Sequence, residues 1–106
     1  MAKKAQRDSY LHPHVCLACR KSFKLSSRAA PARCPDCAAE LVVLNRKFAA
    51  PPRRDRDQWE KIAYLIDHGF RFQSVYGIDG QAVSYPSTLA EAKRFVVEYA
   101  DQARSR

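Results

Sequence analysis

Only three glycines occur in the 106 residues, and no closely spaced set of them forms the kind of loop that cradles a phosphate. Apolar runs are short, Leu41 to Leu44 among them, and none approaches the roughly 20 residues needed to span a bilayer. The opening Met1-Ala2-Lys3-Lys4-Ala5-Gln6-Arg7-Asp8 is charged and no apolar stretch follows it, so it does not read as a secretory leader. Ser26, Ser27, Ser84 and Ser87 sit in no nucleophile motif, and no acid–base pair can be assembled. These absences point to a soluble cytoplasmic protein that is not an enzyme, with no membrane and no small-molecule substrate among its partners. The least implausible catalytic alternative is a metal-dependent nuclease using His12 or His14.

Acidic residues are scarce in one half of the chain only. Residues 1–56 hold 13 Lys and Arg against four Asp and Glu, while residues 57–106 hold six against seven. The net charge of +8 therefore resides in the first half. Such asymmetry suggests a surface facing a polyanion; the plainer alternative is charge that serves solubility alone.

Composition divides the sequence into four parts: a basic tail over 1–12, a segment 13–48 with all four cysteines, a Pro/Arg-rich connector over 49–56, and a patterned half over 57–106. The paired Pro51-Pro52 excludes a helix interior or a central strand in the connector. In the last part, Asp57 and Glu60 fit a capping box ahead of Trp59, Ile62, Ala63 and Ile66 at helical spacing, and Gly69 stands where a C-terminal cap belongs. Phe70, Phe72, Ser74 and Tyr76 then alternate as in a half-buried strand, Gly77-Ile78-Asp79-Gly80 supplies a turn with two glycines free to take positive φ, and Gln81 to Tyr85 reads as the return strand. Thr88 and Glu91 form a second capping box before the stripe Leu89, Ala92, Val96, Tyr99, Ala103. The expected order is α-β-β-α, with Trp59, Phe70, Phe72, Phe95 and Tyr99 as the core. Aromatics at strand spacing can also serve as a stacking platform for bases.

Cys16-Leu17-Ala18-Cys19 and Cys34-Pro35-Asp36-Cys37 are two Cys-x-x-Cys pairs with 14 residues between them. Each pair lets two thiolates face one point, and four soft ligands suit tetrahedral zinc. Structural disulfides would need an oxidising compartment, and a redox pair would need no second Cys-x-x-Cys. Four thiolates leave zinc no open position, so the expected Zn2+ is structural, bound by Cys16, Cys19, Cys34 and Cys37. His12 and His14 flank Pro13 and read as surface residues beside the first pair, with ligation or base stacking as the alternative. His68, at an expected helix end, can meet exposed carbonyls.

Residues 13–48 thus resemble a zinc ribbon: Cys16-Leu-Ala-Cys19-Arg-Lys-Ser-Phe23 matches a first knuckle, Cys34-Pro-Asp-Cys37 a second, and Glu40 to Leu44 the strand after it. Neither Cys19 nor Cys37 is followed by the glycine common there; Arg20 and Ala38 take its place. The whole chain also resembles a small bacterial zinc-ribbon protein to which no activity is attached. The resemblance implies a small α+β fold, β-hairpins around a four-cysteine zinc followed by the α-β-β-α unit. It does not choose among the functions that ribbons serve. Rubredoxin-like carriers hold iron in a similar cysteine set but are typically acidic, whereas this module is basic.

Two functions follow. The leading one is a nucleic-acid-binding accessory protein, RNA slightly favoured over DNA, meeting phosphates through Arg20, Lys21, Lys24, Arg28, Arg33, Arg46, Lys47, Arg53, Arg54 and Arg56. Phe23 and Phe48 are available to stack on unpaired bases, though Phe23 also suits a small core. The other is a protein-docking module, for instance on the ribosome or the transcription machinery. There the ribbon is a scaffold and the second half the contact surface, with Tyr64, Tyr76 and Tyr85 as exposed anchors.

Overall fold

A computed structural model of the chain describes residues 11–26 and 32–104, in two units, Met1–Ala50 and Pro51–Arg106. The basic segment up to Tyr10, and Arg28, lie outside the described residues.

The first unit holds a three-stranded antiparallel sheet in the order β2-β1-β3, formed by β1 (Leu11–Cys16), β2 (Lys21–Ser26) and β3 (Val42–Val43). The β1–β2 register sets Cys16 opposite Lys21 and His14 opposite Phe23. Proline in a central strand is unusual, and Pro13 limits this one. The Leu44 amide donates to the Pro13 carbonyl at 2.9 Å. Pro13 has no N–H to return, so the ladder between β1 and β3 stops at Val43. The strand expected over Glu40 to Leu44 is therefore split. Glu40 bridges Arg33 and the Leu41 amide donates to Ala32, while Val42 and Val43 pair with β1.

The second unit begins with α1 (Arg56–Asp67), whose cap is Asp55 and not the expected Asp57. The Asp55 amide donates to the Pro52 carbonyl, closing a turn, and its side chain accepts from the Gln58 amide at 3.3 Å. Asp57 instead supplies negative charge to the first turn, where the helix dipole favours it. Trp59, Ile62, Leu65 and Ile66 are buried, and so is Lys61, whose Nζ donates to Gln58 Oε1 at 2.7 Å. At the other end Gly69 takes φ +93°, and the Gly69 and Phe70 amides donate to Ile66 and Leu65 in a Schellman closure.

The expected hairpin is largely irregular. Only Tyr76 and Ala82 form a bridge, with Val83 donating to Val75 at 2.8 Å. Phe72 breaks the extended run by taking φ +66°. Its ring lies 4.8 Å from that of Tyr85 in a stacked pair, and Tyr85 donates its hydroxyl to the Gln73 carbonyl. Of the two turn glycines, Gly80 alone takes a positive φ. Thr88 caps α2 (Leu89–Glu98) by accepting from the Glu91 amide, and the Glu91 carboxylate accepts in return from Ser87. The helix ends at Tyr99, short of the expected stripe to Ala103, and a 3-10 turn follows over Ala100–Gln102.

Leu65, Phe70, Val75, Ala92, Phe95 and Val96 form the buried core of this unit, with Phe72, Tyr85 and Tyr99 packed against it. Phe70 and Phe95 meet edge to face at 5.2 Å, a geometry worth about 0.5–1.5 kcal/mol beyond its area. Trp59, expected in the same cluster, is buried apart from it and donates its indole N–H to Pro52. No helix among the described residues is long and apolar enough to cross a membrane.

The glycines separate two kinds of cost. A Cβ on Gly69 would sit 2.6 Å from the Arg104 carbonyl oxygen, whereas one on Gly80 meets nothing within 4 Å. Gly80→Ala should cost only the left-handed backbone penalty of about 1–2 kcal/mol. Gly69→Ala should cost clearly more, because backbone must also shift. Urea unfolding followed by Trp59 fluorescence measures both; equal losses would contradict the close packing at Gly69.

Candidate metal centre

The two Cys-x-x-Cys segments become two turns that face each other. Cys16 ends β1, Cys19 lies in the turn to β2, and the Cys19 amide points at Cys16 Sγ at 3.4 Å. In the second turn the Asp36 amide points at Cys34 Sγ, also at 3.4 Å, while Ala38 donates to the Cys34 carbonyl and Cys34 to the Ala39 carbonyl. Each turn thus sets a sulfur in front of a backbone amide, which stabilises negative charge there.

Arg20 and Ala38, the residues directly after Cys19 and Cys37, take φ +57° and +66°. These are the two positions where a glycine is common in the resembling family. The turns keep a glycine-like backbone even though a Cβ is present, at a cost of about 1–2 kcal/mol per residue.

The result is one cluster: the sulfurs of Cys16, Cys19, Cys34 and Cys37 all lie within 4.8 Å of one another, a group that could hold a metal ion. Cys16 and Cys37 are 3.6 Å apart and Cys34 and Cys19 4.0 Å apart, far beyond a disulfide bond of about 2.05 Å. A tetrahedron with metal–sulfur bonds of about 2.3 Å has edges of about 3.8 Å. The two separations bracket that edge. Cys16 and Cys34 are buried, Cys19 is half-buried and Cys37 is exposed. Leu41, Phe23, Leu25, Ala32 and Ala39 pack around the cluster, so Phe23 acts as a core anchor.

Crowded thiols compete for protons. Burial pushes the Cys16 thiol up. Cys19 is pushed up to about 12, first by its hydrogen bond with Cys37 and then by burial. Burial acts to raise Cys34, but hydrogen bonds from the Asp36 and Cys37 amides and from the Cys16 and Cys37 side chains together bring that thiol down to about 7.

Lys21 forms an ion pair with Asp36, tying the strand after the first turn to the second turn. The sequence alone marks Lys21 only as a phosphate contact. The signal for the pair is Asp36, the one acid enclosed in a Cys-x-x-Cys segment. His14 is buried rather than superficial: its Nδ1 lies 2.9 Å from the His12 carbonyl, and its Nε2 has no hydrogen-bond partner among the described residues. His68 Nδ1 lies 2.9 Å from the Tyr64 carbonyl at the end of α1. Phe48 is buried and offers no face for base stacking.

The expected phosphate contacts are distributed over both units. Lys24, Arg33, Arg46 and Lys47 are exposed in the first, Arg20 and Lys21 are half-buried there, and Arg53, Arg54 and Arg56 are exposed in the second. The Arg33 guanidinium donates to the Ala38 carbonyl at 3.2 Å.

Metal binding must displace the protons that Cys16 and Cys19 retain at neutral pH, so affinity should rise with pH. At least one proton released per metal gives about tenfold or more per pH unit. Competition against a chelator of known affinity at two pH values measures this, and a pH-independent constant would contradict thiol ligation.

Comparison with protein-family models, with curated proteins and with solved structures finds no match for this chain.

Proposed function

We propose that the chain is a non-catalytic zinc-ribbon accessory protein that binds nucleic acid, RNA slightly ahead of DNA, through phosphate contacts on its basic first half. Zinc is the metal assigned to Cys16, Cys19, Cys34 and Cys37, because four thiolates at near-tetrahedral spacing match its preference for sulfur. With all four positions taken by sulfur, no site remains for an activated water, and the metal's part is to hold the fold. The two facing turns and the three short antiparallel strands support the ribbon reading.

The observation that carries the nucleic-acid reading is charge. The first unit, Met1–Ala50, holds ten Lys and Arg against three Asp and Glu, a net of +7 out of +8 for the chain. Within it Lys24, Arg33, Arg46 and Lys47 present exposed side chains. Cations of this kind neutralise phosphates and release counterions, which gives salt-sensitive, sequence-tolerant binding. Buried Phe48 and core-packed Phe23 leave backbone contact as the main source of affinity, and no recognition helix among the described residues argues for base readout.

The test is binding of zinc-loaded protein to labelled single-stranded RNA and duplex DNA across a salt series. Affinity should fall steeply and linearly on logarithmic axes. Lys24→Ala/Lys47→Ala should reduce the slope by about 2, one for each phosphate no longer neutralised. Absence of binding at low salt would overturn the reading.

A further inference from the structure

The second unit carries a groove whose character is opposite to that of the first. Tyr76, Gly77 and Ile78 form one wall, and Glu98, Tyr99, Asp101 and Gln102 form the other, around a volume of about 430 Å3. We infer that this groove is a docking site for a basic peptide segment of a partner protein, one that presents lysine or arginine beside an apolar side chain.

Three observations carry this. The first is charge: Glu98 and Asp101 are the only charged side chains lining the groove. The Tyr99 phenol is pushed up by burial, then by Glu98, to which it hydrogen-bonds, and by Asp79. A third acid therefore stands within electrostatic reach of the groove. In a chain of net charge +8 such a site selects a cationic ligand and repels polyanions.

The second is exposed apolar surface. Ile78 is fully exposed and Tyr76 half exposed, two of the five large apolar side chains among the described residues that the fold leaves in solvent. Beside carboxylates, a tyrosine face also receives an ammonium or guanidinium. A ligand that is both cationic and apolar satisfies both features at once.

The third is rigidity. The Gln102 side-chain amide pairs with the Tyr76 backbone as a neighbouring strand would, accepting from the Tyr76 N–H at 2.9 Å and donating to its carbonyl at 2.8 Å. The turn carrying Ile78 is closed by Gly77 donating to Gln81, Gly80 to Gly77, and Gln81 to Asp79 Oδ1. Both walls are thus set before a ligand arrives, which lowers the ordering cost of binding. Tyr64 and Tyr85, the other sequence-level anchors, are half-buried and pack on the core. Of the three tyrosines only Tyr76 is exposed.

This inference is independent of the nucleic-acid reading. Its test uses the full zinc-loaded chain and a fluorescein-labelled peptide of four lysines around one tryptophan, with a twin in which glutamates replace the lysines. Fluorescence anisotropy should show saturable binding of the first peptide and none of the second. Glu98→Lys/Asp101→Lys should weaken it at least tenfold, and Ile78→Ser several-fold. All three side chains are exposed, so the fold should survive, which circular dichroism checks. RNA binding by the double variant should be undiminished. Equal binding of both peptides, indifference to the double substitution in a folded protein, or no binding at millimolar peptide would each overturn the proposal.

Discussion

Four sulfurs confined within 4.8 Å of one another impose the main constraint on the first unit. Thiolates at that spacing repel and burial favours the protonated thiol, so full ionisation of the four would need a cation at their centre. The surrounding packing reflects this. One buried cluster there is Cys16, Cys34 and Leu41, so two of its three members are candidate ligands. Val15, Leu44 and Phe48 are buried in the same unit, and the left-handed backbone at Arg20 and Ala38 is strain that the turns sustain to aim the cysteines. The second unit has an independent solution. Six buried apolar residues and a chain of aromatic contacts hold its two helices together.

The legible parts of the fold were those written in local chemistry. Cysteine spacing identified the cluster, and Gly69 and Thr88 marked helix ends that their hydrogen bonds verify. Asp55 displaced Asp57 as the cap because the Pro52 turn brings an earlier acid to the first free amides, a preference that residue pattern alone does not register. The hairpin failed for a tertiary reason: the alternation of Phe70 to Tyr76 is real, but Phe72 gives up extended geometry to stack on Tyr85. His14 reads as a surface residue, and Phe48 as free to stack on bases, because only tertiary packing buries them. The groove beside Tyr76 was invisible for a related reason, since residues 76–78 and 98–102 meet only once the Gln102 amide closes on the Tyr76 backbone.

Charge then separates the two proposed binding surfaces. A net of +7 on the first and an acidic, apolar groove on the second favour ligands of opposite sign. Under the two proposals such a chain would join a polyanion to a basic partner, with the metal at the four cysteines contributing structure. The two proposals rest on different residues, so the failure of one leaves the other standing.

Metal ligation by Cys16, Cys19, Cys34 and Cys37 is proposed to hold the first unit folded. The direct measurement is a zinc titration of chelator-stripped protein, followed by amide chemical shifts. The amides of Leu11–Cys16 and Lys21–Ser26 should gain dispersion in step with a single equivalent of zinc, and Cys34→Ser should abolish the change. Dispersed amides in those strands without metal, or dispersion that persists after Cys34→Ser, would contradict it.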